Sequence, residues 1–503
     1  MKKFLPAIFI PLIFFITQLQ AQSYKEKYRP LIHFSPKEHW MNNPDGLVYF
    51  NGIYHLFFQY YPAASVWGPM HWGQAISEDL VHWKQLPIAI YPDKLGYIYP
   101  GSVVVDSNNT SGFGIYGKPA LVAIFTQHDT AGEHAHTTTF QNQSIAYSND
   151  GGVTWVKFKD NPVIKNPGVS DFRDPKVMWF KPGNKWIMAL AVKDHVSFYS
   201  SPDLKSWKEE GEFGKDIGRH DGIWECPDLF AFDYDGKLVW ALPVSIKSGG
   251  PNGGSAIQYF IGDFDGKTFT PYNNNVKWID YGPDNYAGVT FSNTGERKLF
   301  LGWMSNWNYA QLVPTETWRG AMTVPRNLNL ARIGDEFYIT SNPVVELNGI
   351  AGKQTAITKI VVNPEVNLSQ QIKKFQLPAK IDFEVPDAKS FSMVFSNENK
   401  EMLTVGYDET QKHFYINRKQ SGETDFERSF SGEHIAPRIS SAKNIRLTVV
   451  ADVTSVELFA DDGLSVMTEI FFPSKPYDQL QLQSQGNVEI NGLTYTPFKN
   501  IWK

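Results

Sequence analysis

One arrangement recurs from residue 40 to about residue 340 and limits what the chain can become. A loop carrying an acid or a glycine leads into an apolar strand. A turn and a second apolar strand follow, and then a polar turn ending in an aromatic residue. The first strands begin near Trp40, Tyr99, Phe172, Trp224 and Tyr281; the second strands include "YHLFFQYY", "PALVAIFTQ" and "KWIMALAVK". The closing turns are related: "SEDLVHW" at 77–83, "SNDGGVTW" at 148–155, "SPDLKSW" at 201–207 and "FDGKTF" at 264–269. In such turns Asp bonds its own backbone, which leaves the aromatic residue free to pack between units. The fifth unit carries "WRGAMTVPRNLNL" in that place. Five units of short antiparallel strands at this period predict a five-bladed β-propeller. A long β-sandwich with incidental similarity is the competing fold, and the aromatic turn recurring in register disfavours it.

Beyond residue 343 the pattern changes. The stretch "NGIAGKQTAITKIVVNPEVNLSQQ" reads as a polar connector. After it come alternating strands such as "AKIDFEV", "SFSMVFSN" and "HFYINRK", separated by turn signals at short intervals. That spacing predicts a β-sandwich. The chain therefore divides into a propeller at 22–343 and a sandwich at 344–503, all-β throughout. The sandwich is expected to dock on the propeller through an interface more apolar than the remaining surface.

Residues 1–21 read as a signal peptide: Lys2 and Lys3, an apolar run from Phe4 to Ile16, and Leu19-Gln20-Ala21 before a cleavage point. That apolar run is shorter than the roughly 20 residues a spanning helix needs, and no later segment is long enough. Export to the periplasm or the cell exterior is expected. Cys226 is the sole cysteine, so core burial rather than disulfides must hold the fold. A net charge of −5 without basic runs gives no footprint for nucleic acid.

Three loops place an acid and a proline just before an apolar strand: "HWMNNPDG" at 39–46, "DFRDPKVMWF" at 171–180 and "WECPDLFAF" at 224–232. In a propeller the first strand of each unit lines the axis, so one pocket at one end collects all three. The abundance of aromatic residues suits both strand formation and stacking on sugar faces. His134 and His136 in "EHAHTTT" have a metal-pair spacing but lack an evident third ligand, and a solvated loop is the expected reading. No metal and no cofactor is expected.

These motifs, together with "GPMHWGQAISEDLVHW", "YPGS" and "WRGAMTVPR", resemble glycoside hydrolase family 32, the invertases, inulinases and levanases. The resemblance covers nearly the whole chain after the leader. It implies a five-bladed propeller followed by a sandwich, and a retaining cleavage of β-fructosidic bonds in fructans or sucrose. Retention requires two carboxyl groups about 5–5.5 Å apart, one attacking the anomeric carbon and one protonating the leaving oxygen. By resemblance Glu225 is the acid/base, with Trp224, Cys226 and Pro227 as weakly polar neighbours that favour its protonated form. Asp174 is the transition-state stabiliser, and Arg173 orients a carboxylate or a sugar hydroxyl. Trp40, Asn42, Gln59, Trp67, Tyr99 and Trp303 carry over as pocket residues. Pro100 stands where the family has serine, so one hydroxyl is missing. Trp67 and Trp303 also fit packing between blades.

The chain departs from the family at the nucleophile. The family has Asp where this chain has Asn43, and an amide cannot attack as a carboxylate does. Asp45 stands two residues on, facing the same way in an extended segment and roughly 6–7 Å further along. Three readings stay open: an introduced inactivating change, a natural substitution in a sugar-binding protein or slow enzyme, and transfer of the role to Asp45. The function classes are accordingly fructan hydrolase, fructan-binding protein and fructosyltransferase. Linkage preference and oligomeric state are not encoded in these motifs.

Overall fold

A computed structural model describes residues 24–502 except residue 373; the expected leader lies outside the described residues. Five sheets, antiparallel apart from one short parallel pairing in the first, form the propeller. Their innermost strands are His39–Phe50, Tyr97–Val105, Phe172–Phe180, Trp224–Glu225 continued by Phe230–Tyr234, and Tyr286–Thr290. Two six-stranded sheets follow as a sandwich whose facing sides share one apolar core.

The blades pack because their second strands are apolar on both faces. In Leu121–His128, Leu121, Ala123 and Phe125 join Phe57 and Trp72 of the first blade, whereas Val122 and Ile124 join Trp186 and Met188 of the third. A strand covered on both sides reads as a continuous apolar run, and this one is buried throughout. Equivalent clusters fill the remaining gaps between blades. The closing turns behave as their sequence predicts. Asp79, Asp150, Asp203 and Asp265 each accept two backbone N–H groups from their own turn. The indoles of Trp83, Trp155 and Trp207 each donate to a carbonyl three residues earlier. Trp155 then meets Phe57 of the neighbouring blade edge-on at 5.4 Å.

Three expectations need correction. Trp318–Arg319 does not belong to the fifth blade. It pairs in parallel with His39–Trp40 and so ties the end of the ring to its start, while Arg326–Ile333 supplies the fifth blade's third strand. The fifth inner strand begins at Tyr286 rather than Tyr281, because residues 280–284 are committed to the sandwich: Tyr281 N–H donates to Val466, and Asp280 and Asp284 accept from Thr468 and Ile470. The supposed connector holds Thr355–Val362 and Glu365–Asn367, edge strands of the two sandwich sheets. Thr355, Thr358 and Lys359 in the first of these are what an exposed edge carries.

The interface between the two parts is not simply apolar. Val344, Phe459, Val466 and Phe498 do close an apolar cluster against the propeller. Beside it runs a fully buried ionic network. Arg326 pairs with Asp280 at 2.8 Å and with Glu457; Arg418 pairs with Asp284; His33 lies between Asp452 (2.8 Å) and Glu457 (2.9 Å). Burial alone would push the His33 imidazole down, but its hydrogen bonds to the two carboxylates outweigh that and raise it from 6.5 to about 9. A group whose folded value lies above its unfolded one stabilises fully below the unfolded value and loses that contribution as pH climbs through the folded one. Thermal unfolding should therefore show stability falling from about pH 6.5 to about pH 9, less steeply in His33→Gln. Glu457→Gln, which leaves Arg326 short of a buried partner, should cost roughly 3–5 kcal/mol.

Candidate active site

Four prolines shape one end of the propeller axis: Pro44, Pro100, Pro175 and Pro227 line the same small space. Proline cannot donate to a ladder, so each inner strand that carries one breaks its pairing there. The register skips between Asn42 and Pro44, between Ile98 and Gly101, and between Arg173 and Lys176. The fourth inner strand is split outright between Glu225 and Phe230. Residues just before these breaks are released from strand alternation and converge on the axis. Asp174 and Cys226 adopt left-handed backbone conformations (φ 65° and 45°), uncommon for residues with side chains.

The converging side chains form a series of polar contacts. Trp40 Nε1 donates to Asn42 Oδ1 at 2.7 Å, and Asn42 Nδ2 donates to Asn43 Oδ1 at 3.0 Å. Asn43 Nδ2 reaches Cys226 Sγ at 3.4 Å. The Cys226 backbone N–H and thiol donate to Asp174 Oδ2 at 3.0 and 3.5 Å. Arg173 approaches Asp174 at 4.0 Å, pairs with Asp171 at 2.6 Å and donates twice to Glu225 Oε1, at 3.2 and 3.1 Å. The Tyr286 hydroxyl donates to Glu225 Oε2. Glu225 is thus held by a guanidinium and a phenol, not by the weakly polar neighbours expected from its sequence context. Tyr286 was not singled out in the sequence, although it opens the fifth inner strand as Trp40 nearly opens the first.

Asn43 and Asp45 are both buried, at 5% and 0% exposure, and differ in their partners. Both face the axis, but Asn43 belongs to the series just described, whereas Asp45 receives Gln59 Nε2 at 2.6 Å. Gln59, expected in the sugar pocket, is the donor to Asp45. Burial pushes Asp45 well above the usual carboxylate range, and nearby Asp174 pushes it further. Asp174 is itself raised to about 7 by burial and by Glu225, against the pull of Arg173. Its second oxygen has no partner.

The aromatic residues also divide. Trp67 is 38% exposed and meets Tyr99 edge-on at 6.4 Å, while Tyr99 stacks flat on His128 at 4.3 Å. These rings stand at the mouth. Trp303, expected in the pocket wall, is 0% exposed and wedged against Trp40 and Trp307; inter-blade packing claims it. Trp40, Asn42 and Pro100 are buried behind the front row. His134 and His136 are exposed around the helix Thr130–His134.

Carboxyl groups gathered at the start of a propeller's inner strands give a site suited to the two-carboxyl chemistry of glycoside hydrolysis. Residues 33–341 match the N-terminal domain of glycosyl hydrolases family 32, and residues 346–497 match the family's C-terminal domain. The chain belongs to this family. It is 43% identical over 492 residues to a levanase of Bacillus subtilis, covering 95% of this chain and 72% of that protein. It is 35% identical to an extracellular exo-inulinase of Aspergillus ficuum, covering 95% and 96%. The crystal structure of the exo-inulinase of Aspergillus awamori superimposes with a TM-score of 0.86 at 33% identity, covering 95% of this chain and 100% of that one. A β-fructofuranosidase of Schwanniomyces occidentalis complexed with fructosyl-erythritol gives 0.82 at 31% identity, covering 95% and 99%.

The strained carboxyl of Asp174 has a consequence for stability. An acid raised from 3.8 to about 7 disfavours the folded state once the pH is high enough to ionise it. Asp174→Asn, which removes the buried charge while keeping the side chain's shape, should stabilise the protein at pH 8 by roughly 2–4 kcal/mol. The gain should shrink toward zero at pH 4. Denaturant unfolding at the two pH values measures it.

Proposed function

We propose that the chain is an exported β-fructosidase whose substrates are fructans, levan or inulin, or sucrose, built for retaining double displacement and lacking its nucleophilic carboxylate at Asn43. The names of the relatives support the substrate class. The observation that carries the site assignment is the bond from Asn43 to Cys226, the residue next to Glu225, set against the bond from Gln59 to Asp45.

In this reading a furanose ring sits over Asn43, Asp174 and Arg173, with Trp67 and Tyr99 at the rim. Glu225 protonates the departing oxygen and then takes a proton from water, since a group that acts as acid in one half-reaction acts as base in the other. Arg173 and Tyr286 fix the direction of its two oxygens. Asp174 accepts sugar hydroxyls as charge builds on the ring. A carboxylate at 43 would form the fructosyl ester; the amide offers the same shape without the nucleophile. The second reading, a fructan-binding protein, rests on that same amide: the pocket keeps its shape and loses its covalent step.

Asn43→Asp should raise fructose release from levan, inulin or sucrose by about 10³-fold or more, because the covalent step is otherwise missing. Asp45→Asn in the unaltered chain should change little. Full activity in the unaltered chain that vanishes with Asp45→Asn would move the nucleophile to Asp45. In the Asn43→Asp background, Glu225→Gln should cost about 10²-fold or more on natural fructans and much less on fructosides with good leaving groups. Equal losses on both would remove Glu225 from the acid role.

A further inference from the structure

The opposite end of the propeller axis holds a cavity of about 650 Å³. The inner strand Phe172–Phe180 connects the two ends: Asp174 lies in the active site and Trp179 in the cavity wall, about 17 Å further along at the usual rise per residue. The two ends differ in charge. Around the active site stand Asp171, Asp174 and Glu225 with one guanidinium. Around the far cavity stand Lys176, Lys181, Arg297 and Lys298, and among the described residues no carboxylate lines it, in a chain with a net charge of −5. Two of these cations are neutralised from outside the lining: Lys176 by Asp228 at 3.2 Å and Arg297 by Glu346 at 2.6 and 3.1 Å. Lys181 and Lys298 make no ion pair among the described residues. Burial pushes the Lys298 amine down, and Asp228 and Glu296 only partly pull it back. An anion in the cavity would supply the missing charge. One side of the wall is apolar and aromatic, with Trp179, Phe180, Trp240 and the exposed Leu238, and uncharged polar residues such as Asn108, Thr290 and Asn293 complete the lining.

From this lining we infer a second ligand site, for a small organic anion with a flat apolar body, seated between Lys298 and the Trp179–Trp240 wall. Sites of this kind combine an apolar enclosure with a few convergent charged groups, and the volume is within their usual range. The site lies outside the fructoside pocket and does not depend on the reading of that pocket.

The probe is 8-anilinonaphthalene-1-sulfonate, with N-phenyl-1-naphthylamine as the same ring system lacking the sulfonate. Titrated by fluorescence into the full chain, the sulfonate should bind at least tenfold more tightly than the neutral amine. Its affinity should weaken as salt rises from 0.05 to 0.5 M. Lys298→Gln should weaken the sulfonate at least fivefold and leave the neutral amine unchanged. Leu238→Glu, a change at an exposed rim position that the fold tolerates, should weaken the sulfonate at least tenfold. Equal affinity for the two dyes, or sulfonate binding unaffected by Leu238→Glu, would overturn the proposal. So would a soaked crystal with the sulfonate bound elsewhere.

Discussion

The active end of the molecule depends on what proline cannot do. A propeller's inner strands are paired along their length, and a paired strand sends alternate side chains to opposite faces. Pro44, Pro100, Pro175 and Pro227 remove ladder donors at the same depth in four blades, and the strands respond with bulges or a break. The residues ahead of them turn inward: Asn43, Tyr99, Asp174 and Cys226. The left-handed backbone of Asp174 and Cys226 is the local cost of this arrangement, offset by the hydrogen bonds that join the two residues.

Charge is the second constraint. Asp45, Asp174, Glu225 and Asp228 approach one another along the axis with only Arg173 and Lys176 between them. The fold accommodates this by burying Asp45 under Gln59, raising Asp174, and spending Lys176 on Asp228. In that setting the amide of Asn43 costs nothing electrostatically, whereas a carboxylate there would add a further charge to the same cluster. On the proposed reading, the same distribution suits an amide at residue 43 better than a carboxylate. That is the trade between stability and activity expected where like charges must be held together.

Much of this was legible in the sequence because it is local. The Asp-to-Trp turns, the apolar second strands and the acid-proline loops each occupy a few residues, and each has one physical meaning. What escaped was non-local. Trp318–Arg319 closes the ring by pairing with a strand nearly 280 residues earlier. The edge strands at 355–367 read as a connector because an edge needs no continuous apolar run. The ionic interface joins His33, Asp280, Arg326, Asp452 and Glu457, residues whose separate contexts carry no sign that they meet. Resemblance places Gln59 and Trp303 at the pocket, and their partners there, Asp45 and Trp40, could not be read from sequence. Tyr286 was missed since its partner, Glu225, lies on another blade.

The central claim is that Asn43, not Asp45, faces the scissile bond. It is tested most directly by a crystal structure of the unaltered chain soaked with a short β-2,6-linked fructan. The account predicts an uncleaved oligosaccharide whose terminal furanose covers Asp174 and Arg173, with its anomeric carbon nearest the Asn43 side chain and the glycosidic oxygen against Glu225. A cleaved sugar whose anomeric carbon faces Asp45, or an oligosaccharide bound with no contact to Asn43 and Glu225, would contradict it.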